Sequence, residues 1–397
     1  MKKFAVIAIA CILILSILLC GCTKSTSDYT INNSDSINIG IIASDDSVLK
    51  GVDYASSLAP LVHIDKEYKI NTLTYSINDD INTTASELLS QNVCAVICDG
   101  SYKTHTDLII KAFEDTSIPL VFIGNHSDLI QTTDNAFSIS TPYNYQSSAA
   151  VSYLTSEGLS TGAIVLGDDS EYMTTVAEMF ESAFMASGGK SVSTYYFTGE
   201  KENFSAKAIS GAGLDFAFII ADDASRNSIY TELVDAGFAS QIVFSEVIDK
   251  AQLHDESYNN VSFISNFELD DNNYIGSDFI NTYSEKNGIK TTEVTPSIAY
   301  GYDAYMTIYE VLRNFNPNSQ SLSPFSTEAT AETGDENNQI TVSQVKDALK
   351  EIEYFGVTDT ITFDQNGLSN TTFIYIDKVE NAQPKMLNRY EFNNEQN

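Results

Sequence analysis

Six polar segments of this 397-residue chain each follow a short apolar run, and their hydroxyl and carboxylate groups could bind a small molecule. The six segments are residues 43–46, 99–102, 124–127, 167–172, 221–224 and 245–246. In open α/β sheets, ligands bind beyond the carboxyl ends of the strands, which is where segments of this kind lie. Their position and composition therefore predict a site for a small polar ligand.

Residue patterns that would support catalysis are missing from the sequence. It has no GxGxxG after its first strand, no P-loop, no GxSxG and no HExxH. Ser47 and Lys50 match the SxxK of penicillin-interacting serine enzymes, but no SDN or KTG follows them. The four histidines, at positions 63, 105, 126 and 254, do not have metal-ligand spacing. We expect neither an enzyme nor a bound cofactor or metal.

The elements that must position the polar segments alternate between apolar strands and amphipathic helices. They form two blocks of roughly 120 residues each, an ordinary domain size. The strand-like runs are 37–42, 68–75, 93–97 and 120–123 in the first block and 162–166, 191–196, 216–220 and 241–244 in the second. Near-continuous apolar strands between helices predict parallel sheets with both faces covered. The predicted fold class is therefore α/β, with two Rossmann-like lobes, each a parallel sheet flanked by helices.

The last quarter of the chain departs from this alternation. Residues 316–338 are rich in Ser, Thr, Asn, Glu and Pro, which predicts a disordered insertion before a helix at 342–352. Residues 361–367 and 372–376 predict a hairpin that turns at an Asn-Gly pair, Asn366-Gly367.

Charge and composition exclude two broad classes of protein. Asp and Glu number 54 against 21 Lys and Arg, and a surface with a net charge of −33 repels the phosphates of nucleic acids. Hydrophobic residues make up 43% of the chain, enough to build a core. We therefore expect a folded protein with no nucleic-acid partner.

The N-terminus has the pattern of an export signal with a lipid attachment site. Two lysines precede the apolar stretch 4–19, which is shorter than the roughly 20 residues that a membrane span needs. The residues that follow, Leu-Cys-Gly-Cys at 19–22, resemble the cleavage box of bacterial lipoproteins, so residues 1–21 would be removed and Cys22 acylated. Polar residues 22–36 then predict a flexible tether, with the body at the extracytoplasmic face of the cell membrane. An uncleaved single-span anchor is the alternative.

The remaining cysteines, Cys94 and Cys98, stand four apart in one apolar run. In a strand their Cα atoms would lie about 13 Å apart at ~3.3 Å per residue, whereas a disulfide needs less than about 7 Å. Both are predicted to be small buried residues without a disulfide.

Five stretches of the sequence, taken in order, carry a family resemblance. They are 117–122 (a strand), 137–150 (a crossover), 163–189 (strand, tyrosine, helix and Gly-Gly), 299–304 (a Tyr-Asp-Ala helix) and 355–367 (a C-terminal segment). Together they resemble the type I periplasmic-binding-protein fold, in its branched-chain amino acid (Leu/Ile/Val-binding) subfamily of ABC-transporter receptors. The resemblance covers the chain from Ile37 to about Asp377. It implies two lobes joined by a three-strand hinge, with the ligand cleft between them.

The resemblance also implies lobe boundaries and partners. The first lobe would comprise 37–142 and 269–353, and the second lobe 143–268 and 354–397, with crossovers near residues 141, 269 and 355. Lobes built from separate segments predict a hinge that closes on the ligand. The implied partners are a small-molecule ligand (an amino acid or a related amine or amide) and an ABC transporter permease, and the protein is expected to be a monomer.

Seven residues would contact the ligand by their position in that family. They are Ser101, Thr104, Asn125 and Ser127 in the first lobe, and Tyr172, Asp222 and Glu246 in the second. Turn formation and capping explain the Ser, Thr and Asn residues equally well. The carboxylates of Asp222, Asp223 and Glu246 favour a ligand that carries an amine, unless they are ordinary solvated charges. The ring of Tyr172 would cover the carbon skeleton of the ligand.

The function that follows is a lipid-anchored solute receptor that captures a small polar, amino-acid-like ligand and delivers it to an ABC permease. A ligand-sensing lipoprotein on the same scaffold, which feeds a signalling partner, is the alternative. The arginine that the family has at the first crossover is replaced by Ser138, and the glycine after the cleft tyrosine by Met173. The identity of the ligand therefore does not carry over.

Overall fold

The computed structural model describes residues 28–43, 45–64, 66–100, 103–124, 129–141, 143–246, 253–265, 274–315 and 339–393. Within these ranges the chain forms a six-stranded sheet, a seven-stranded sheet and a two-stranded ribbon, with helices packed against the two large sheets. The predicted α/β class with two lobes is confirmed. The predicted signal, Cys22 and the predicted insertion at 316–338 lie outside the described residues.

The first sheet has the strand order β2-β3-β1-β4-β5-β6. Its strands are β1 (Ser36–Ala43), β2 (Leu61–His63), β3 (Glu67–Ser76), β4 (Val93–Asp99), β5 (Leu120–Ile123) and β6 (Ala136–Ser138). Neighbours are parallel except for β2, which runs antiparallel to β3 at one edge. Every residue of β4 and β5 is buried, because helices cover both faces of the sheet.

The second sheet has the order β15-β14-β11-β10-β9-β7-β8. Its strands are β7 (Thr161–Leu166), β8 (Ser191–Tyr196), β9 (Phe216–Ile220), β10 (Gln241–Glu246), β11 (Ser262–Ser265), β14 (Thr371–Glu380) and β15 (Gln383–Asn393), while β12 (Tyr354–Phe355) and β13 (Thr360–Ile361) form the ribbon. Strands β7 to β11 of this sheet run parallel to one another. Strand β14 is antiparallel to β11, and β15 is antiparallel to β14. Successive residues of β7 alternate between two cores: Ile164 and Leu166 join one, Ala163 and Val165 the other.

The helices begin at capping residues that the sequence supplies. They are α1 (Asp46–Leu58), α2 (Ile81–Ser90), α3 (Lys103–Ala112), α4 (Tyr143–Ser156), α5 (Glu171–Ala186), α6 (Ala206–Gly211), α7 (Asp223–Asp235), α8 (Tyr274–Asn287), α9 (Pro296–Arg313) and α10 (Val342–Lys350). The Asp45 carboxylate accepts the Ser47 N–H (2.7 Å), and Asp80 accepts the Thr83 N–H (2.9 Å). Across the described ranges, no helix is both long enough and apolar enough to cross a membrane.

The C-terminal hairpin differs from the prediction. β14 pairs with β15 around Asn381 and Ala382, whose φ angles of +53° and +57° suit a two-residue turn of the type that hairpins favour. The predicted turn at Asn366-Gly367 does form, and it closes a short hairpin in which the Asp364 N–H donates to the Leu368 carbonyl (2.8 Å) and the Asn370 N–H donates to the Thr362 carbonyl (3.0 Å). The Ser138 N–H of β6 donates to the Gly367 carbonyl in this hairpin (2.8 Å). The second predicted run was wrong, because 372–376 belongs to β14 and pairs with β15.

The first and third crossovers between the lobes lie side by side. The Ser369 N–H donates to the Ser138 carbonyl (3.1 Å), so the strand that leaves the first sheet at β6 is bonded to the segment that leads to β14. Ile361, Phe363 and Leu368 pack in the core of the first lobe. The chain therefore enters the second sheet at β14, later than the predicted boundary at residue 354. The second crossover, predicted near residue 269, lies outside the described residues.

Residues at the start of the described chain are bonded to the first lobe. The Ile31 N–H donates to the Ile340 carbonyl (2.8 Å), the Val342 N–H donates to the Tyr29 carbonyl (3.0 Å), and the Tyr29 hydroxyl donates to the Val93 carbonyl (2.6 Å). Ile31 is only 3% exposed. The predicted flexible tether thus ends before this point, because its few apolar side chains find a place in the core.

Candidate functional site

The carboxyl ends of β4 and β5, here called the first edge, begin two of the predicted ligand-binding segments. The Gly100 N–H donates to the Ile123 carbonyl (2.7 Å), and a Cβ at position 100 would come within 2.9 Å of the Gly124 oxygen. Only glycine fits so close an approach of two backbones. The Gly124 N–H donates to the Ser140 hydroxyl (2.7 Å), and the Ser138 hydroxyl donates to the Gly124 carbonyl (3.2 Å). The first edge is therefore bonded directly to the first crossover.

Four predicted ligand contacts belong to this edge. Thr104 is exposed on the first turn of α3, the helix that follows β4. Ser101, Asn125 and Ser127 lie outside the described residues. The segments that carry these three residues start at Gly100 and Gly124, whose backbones lie close together. The two segments therefore begin next to each other. Their roles stay predictions.

The carboxyl ends of β7, β9 and β10 form a second edge. Leu166 pairs with Ile220, and Ile219 pairs with Phe244, so the three strands end side by side. Glu246 is the last residue of β10. Tyr172 is the second residue of α5, is half-buried, and packs its ring against the core of the second lobe. Backbone pairing thus brings the segments that hold Tyr172, Asp222 and Glu246 to one end of the sheet.

Three carboxylates near the second edge, those of Asp168, Asp169 and Asp222, accept backbone N–H groups of the same lobe. Asp222 is exposed, and its Oδ1 accepts the Ser225 N–H (2.8 Å) as the N-cap of α7. Asp168 accepts the Ser170 N–H (2.9 Å), and Asp169 accepts the Glu200 N–H (3.0 Å). For Asp222, capping is a sufficient explanation of the residue type.

Two residues near the edges were not among the predicted contacts. Arg226, in the first turn of α7, is 1% exposed, and its guanidinium carbon lies 5.4 Å from the centre of the Phe244 ring. Burial raises the pKa of Tyr258, and the positive charge of Arg226 opposes that shift. Asp99 ends β4 and is 1% exposed. The sequence gives some indication of both residues. Asp99 directly follows the apolar run 93–98, and Arg226 lies six residues after the apolar run 216–220.

Groups that could support other chemistry lie elsewhere or are buried. Cys94 and Cys98 are free and buried, as predicted, and burial raises the pKa of the Cys94 thiol to about 12. Among the described residues, no three His, Cys, Asp or Glu side chains converge as metal ligands. A cavity of about 330 Å³ lies at the amino end of β6, where Lys350 helps to line it. It is at the opposite end of the strand from the first edge.

Comparison with known proteins identifies the family. The model of the periplasmic binding protein family matches residues 77–383, which is most of the chain. The chain belongs to the periplasmic binding protein family. This is a family of extracytoplasmic solute-binding proteins, and the resemblance drawn from the sequence is confirmed. A comparison with curated proteins gives no match.

Solved structures of this family share the two-lobe fold. A leucine binding protein, LivK, from Thermotoga maritima is 17% identical, with 90% of this chain and 99% of that chain covered and a TM-score of 0.70. LivJ from Streptococcus pneumoniae, in complex with isoleucine, is 16% identical (90% and 99% covered, TM-score 0.71). An ABC transporter solute binding protein from R. palustris, in complex with benzoate, is 11% identical (91% and 98% covered, TM-score 0.69). At these identities the likeness concerns the fold.

Proposed function

We propose that this periplasmic binding protein is a lipid-anchored receptor that captures a small amino-acid-like solute and delivers it to an ABC transporter permease. The observation that carries the proposal is the pair of edges, each at the carboxyl ends of a sheet, in lobes connected by adjacent crossovers. The names of the structural neighbours, which are ABC transporter binding proteins, support the transport role. A catalytic step is not part of the proposal.

The ligand is proposed to carry a carboxylate and an amine. Isoleucine and benzoate, the ligands of two neighbours, are both carboxylic acids. The predicted first-lobe contacts, Ser101, Thr104, Asn125 and Ser127, would supply hydroxyl and amide groups, which can hold a carboxylate without a cationic side chain. On the second edge, Asp222 is engaged as a helix cap, so we assign the amine to Glu246 and the carbon skeleton to Tyr172. An aromatic acid without an amine is the second candidate, because a structural neighbour was solved in complex with benzoate.

The anchor is proposed to be the acylated Cys22. Two or more acyl chains hold a protein stably at a membrane. Asp28 is six residues after Cys22 and lies beside the bonded residues of the first lobe, so the chain between them spans at most about 20 Å. The first lobe would therefore stay near the membrane surface while the second lobe moves. Labelled palmitate should enter the wild-type protein and not the Cys22→Ala variant; equal labelling of both would exclude Cys22.

A thermal-shift screen against amino acids, small amides, polyamines, sugars and benzoates tests the binding role. A ligand at a hundredfold excess over its Kd adds about 2.7 kcal/mol of stability, which raises Tm measurably. We expect a branched or aromatic amino acid to give the largest shift. A screen in which only benzoates shift Tm would favour the aromatic acid, and no shift with any compound would count against a receptor for these solutes. Uptake of the identified ligand by cells that lack the protein then separates delivery from sensing.

A further inference from the structure

Three hydrogen bonds form a closed ring between the first edge and the first crossover. The Gly124 N–H donates to the Ser140 hydroxyl oxygen (2.7 Å), and the Ser140 N–H donates to the Ser138 hydroxyl oxygen (3.3 Å). The Ser138 hydroxyl donates in turn to the Gly124 carbonyl (3.2 Å). Both serines are buried, so solvent has little access to replace these bonds. These three residues are here called the serine ring.

The serine ring engages both polar backbone groups of Gly124, at the point where the chain leaves β5. Gly124 has a φ angle of +108°, a conformation that residues other than glycine rarely adopt. Glycine also has access to more backbone conformations than any other residue, so nothing in its own chemistry selects this one. The two serine hydroxyls therefore hold Gly124 in place, and the predicted ligand contacts Asn125 and Ser127 follow it directly in the sequence.

Ser138 also joins the serine ring to the third crossover. Its N–H donates to the Gly367 carbonyl (2.8 Å), and its carbonyl accepts the Ser369 N–H (3.1 Å). A Cβ on Gly367 would lie 2.2 Å from the Ala136 oxygen, so the backbones of the two crossovers are in close contact here. Ser138 thus bonds the first edge through its side chain and the third crossover through its backbone. A displacement of the crossovers therefore strains the bonds that hold Gly124.

We propose that Ser138 and Ser140 are positioning residues for ligand binding, which hold the end of β5 in the conformation that the ligand requires and link it to both crossovers. Neither serine needs to touch the ligand in this role. Without the serine ring, Gly124 adopts other conformations for part of the time, and the apparent Kd rises in inverse proportion to the fraction that stays competent. The net contribution of one hydrogen bond corresponds to about three- to tenfold in affinity. This role rests on the proposed function, because it concerns the same ligand.

Hydrogen exchange of the purified protein, followed by mass spectrometry, tests the serine ring without any ligand. In Ser140→Ala the Gly124 N–H loses its acceptor, so peptides that contain Gly124 should exchange about three- to tenfold faster than in the wild-type protein. Ser138→Ala removes the bond to the Gly124 carbonyl and should increase exchange in the same peptides. Peptides from β9, in the other lobe, should not change. Unchanged exchange around Gly124 in both folded variants would overturn the proposal.

Calorimetry with leucine, or with benzoate if the thermal-shift screen selects it, tests the positioning role. Ser138→Ala and Ser140→Ala should each weaken binding about three- to tenfold. The double variant should weaken binding by less than the product of the two factors, because both serines act on Gly124.

Ser262→Ala is the matched control for a merely structural effect. Ser262 is fully buried and bonds the Tyr153 hydroxyl (2.9 Å) within the second lobe, so its loss should lower Tm without changing the affinity. Wild-type affinity in both folded serine-ring variants would overturn the positioning role and leave the receptor proposal intact. A wild-type protein that binds none of the screened compounds would instead contradict the proposed function, and with it this role.

Discussion

The two edges of the candidate site use polar groups in different ways. On the first edge, backbone N–H groups and serine hydroxyls tie the ends of β4 and β5 to each other and to the first crossover. On the second edge, Asp168, Asp169 and Asp222 each bond backbone N–H groups of their own lobe. The first edge is therefore bonded to the first crossover, whereas these carboxylates of the second edge are bonded within their own lobe. Changes at the first edge should affect lobe orientation, and changes at the second should affect contacts alone.

The largest effect on binding is expected from Glu246→Ala on the second edge. Removing one partner of a buried charged hydrogen bond costs about 2–5 kcal/mol, so affinity for an amine-bearing ligand should fall roughly thirtyfold or more. Calorimetry with the ligand from the thermal-shift screen measures the change. Glu285→Ala is the control, because Glu285 is an exposed residue of α8. Equal affinities for the two variants would remove Glu246 from the site.

Gly100→Ala tests the first edge. The added Cβ would meet the backbone oxygens of Gly124 and Ile123 at 2.9 and 3.0 Å, so the two loops must separate. Overpacking of this kind costs about 1–3 kcal/mol of stability, and we expect the coupled crossover to weaken ligand binding as well. Gly211→Ala in α6 is the matched control, since a Cβ there meets nothing within 4 Å. A Gly100→Ala protein as stable as that control would show that the loops do not need this contact.

Asp222→Ala should have the smallest effect on binding. Loss of an N-cap costs about 0.5–2 kcal/mol of stability. Asp80→Ala removes the equivalent cap of α2 in the first lobe and should lower the free energy of unfolding by a similar amount. Neither variant should change ligand affinity. A clear loss of ligand affinity in Asp222→Ala alone would show that this carboxylate contacts the ligand. The proposed difference between the two edges would then be wrong for Asp222.

Periodicity predicted most of the fold. The apolar runs at 93–97 and 162–166 are buried strands, because parallel strands covered on both faces have no polar side to interrupt the pattern. The C-terminal region was predicted less well. Residues 383–393 form an edge strand whose side chains are largely exposed. This segment therefore lacks the apolar run by which the other strands were predicted. Similarly, the Asn366-Gly367 turn was predicted correctly, but residues 372–376 pair with β15 rather than with 361–367.

The sequence predicted which segments form the candidate site but not what each residue in them does. The sequence indicates which loops follow strands, and pairing of β7, β9 and β10 does bring three of those loops to one edge. It does not distinguish an aspartate that caps a helix from one that binds a ligand, and Asp222 illustrates this ambiguity. Nor does it show that the buried carboxylate of Asp303 accepts the Thr358 N–H, because the two residues are 55 positions apart along the chain.

The central claim is that two lobes close on a solute. Small-angle X-ray scattering with and without a saturating ligand tests this claim most directly. Two edges at the ends of separate sheets, joined by crossovers, should approach each other when a ligand bridges them. The account predicts a smaller radius of gyration and a narrower distance distribution for the ligand-bound protein. Identical scattering profiles for the free and the saturated protein would contradict it.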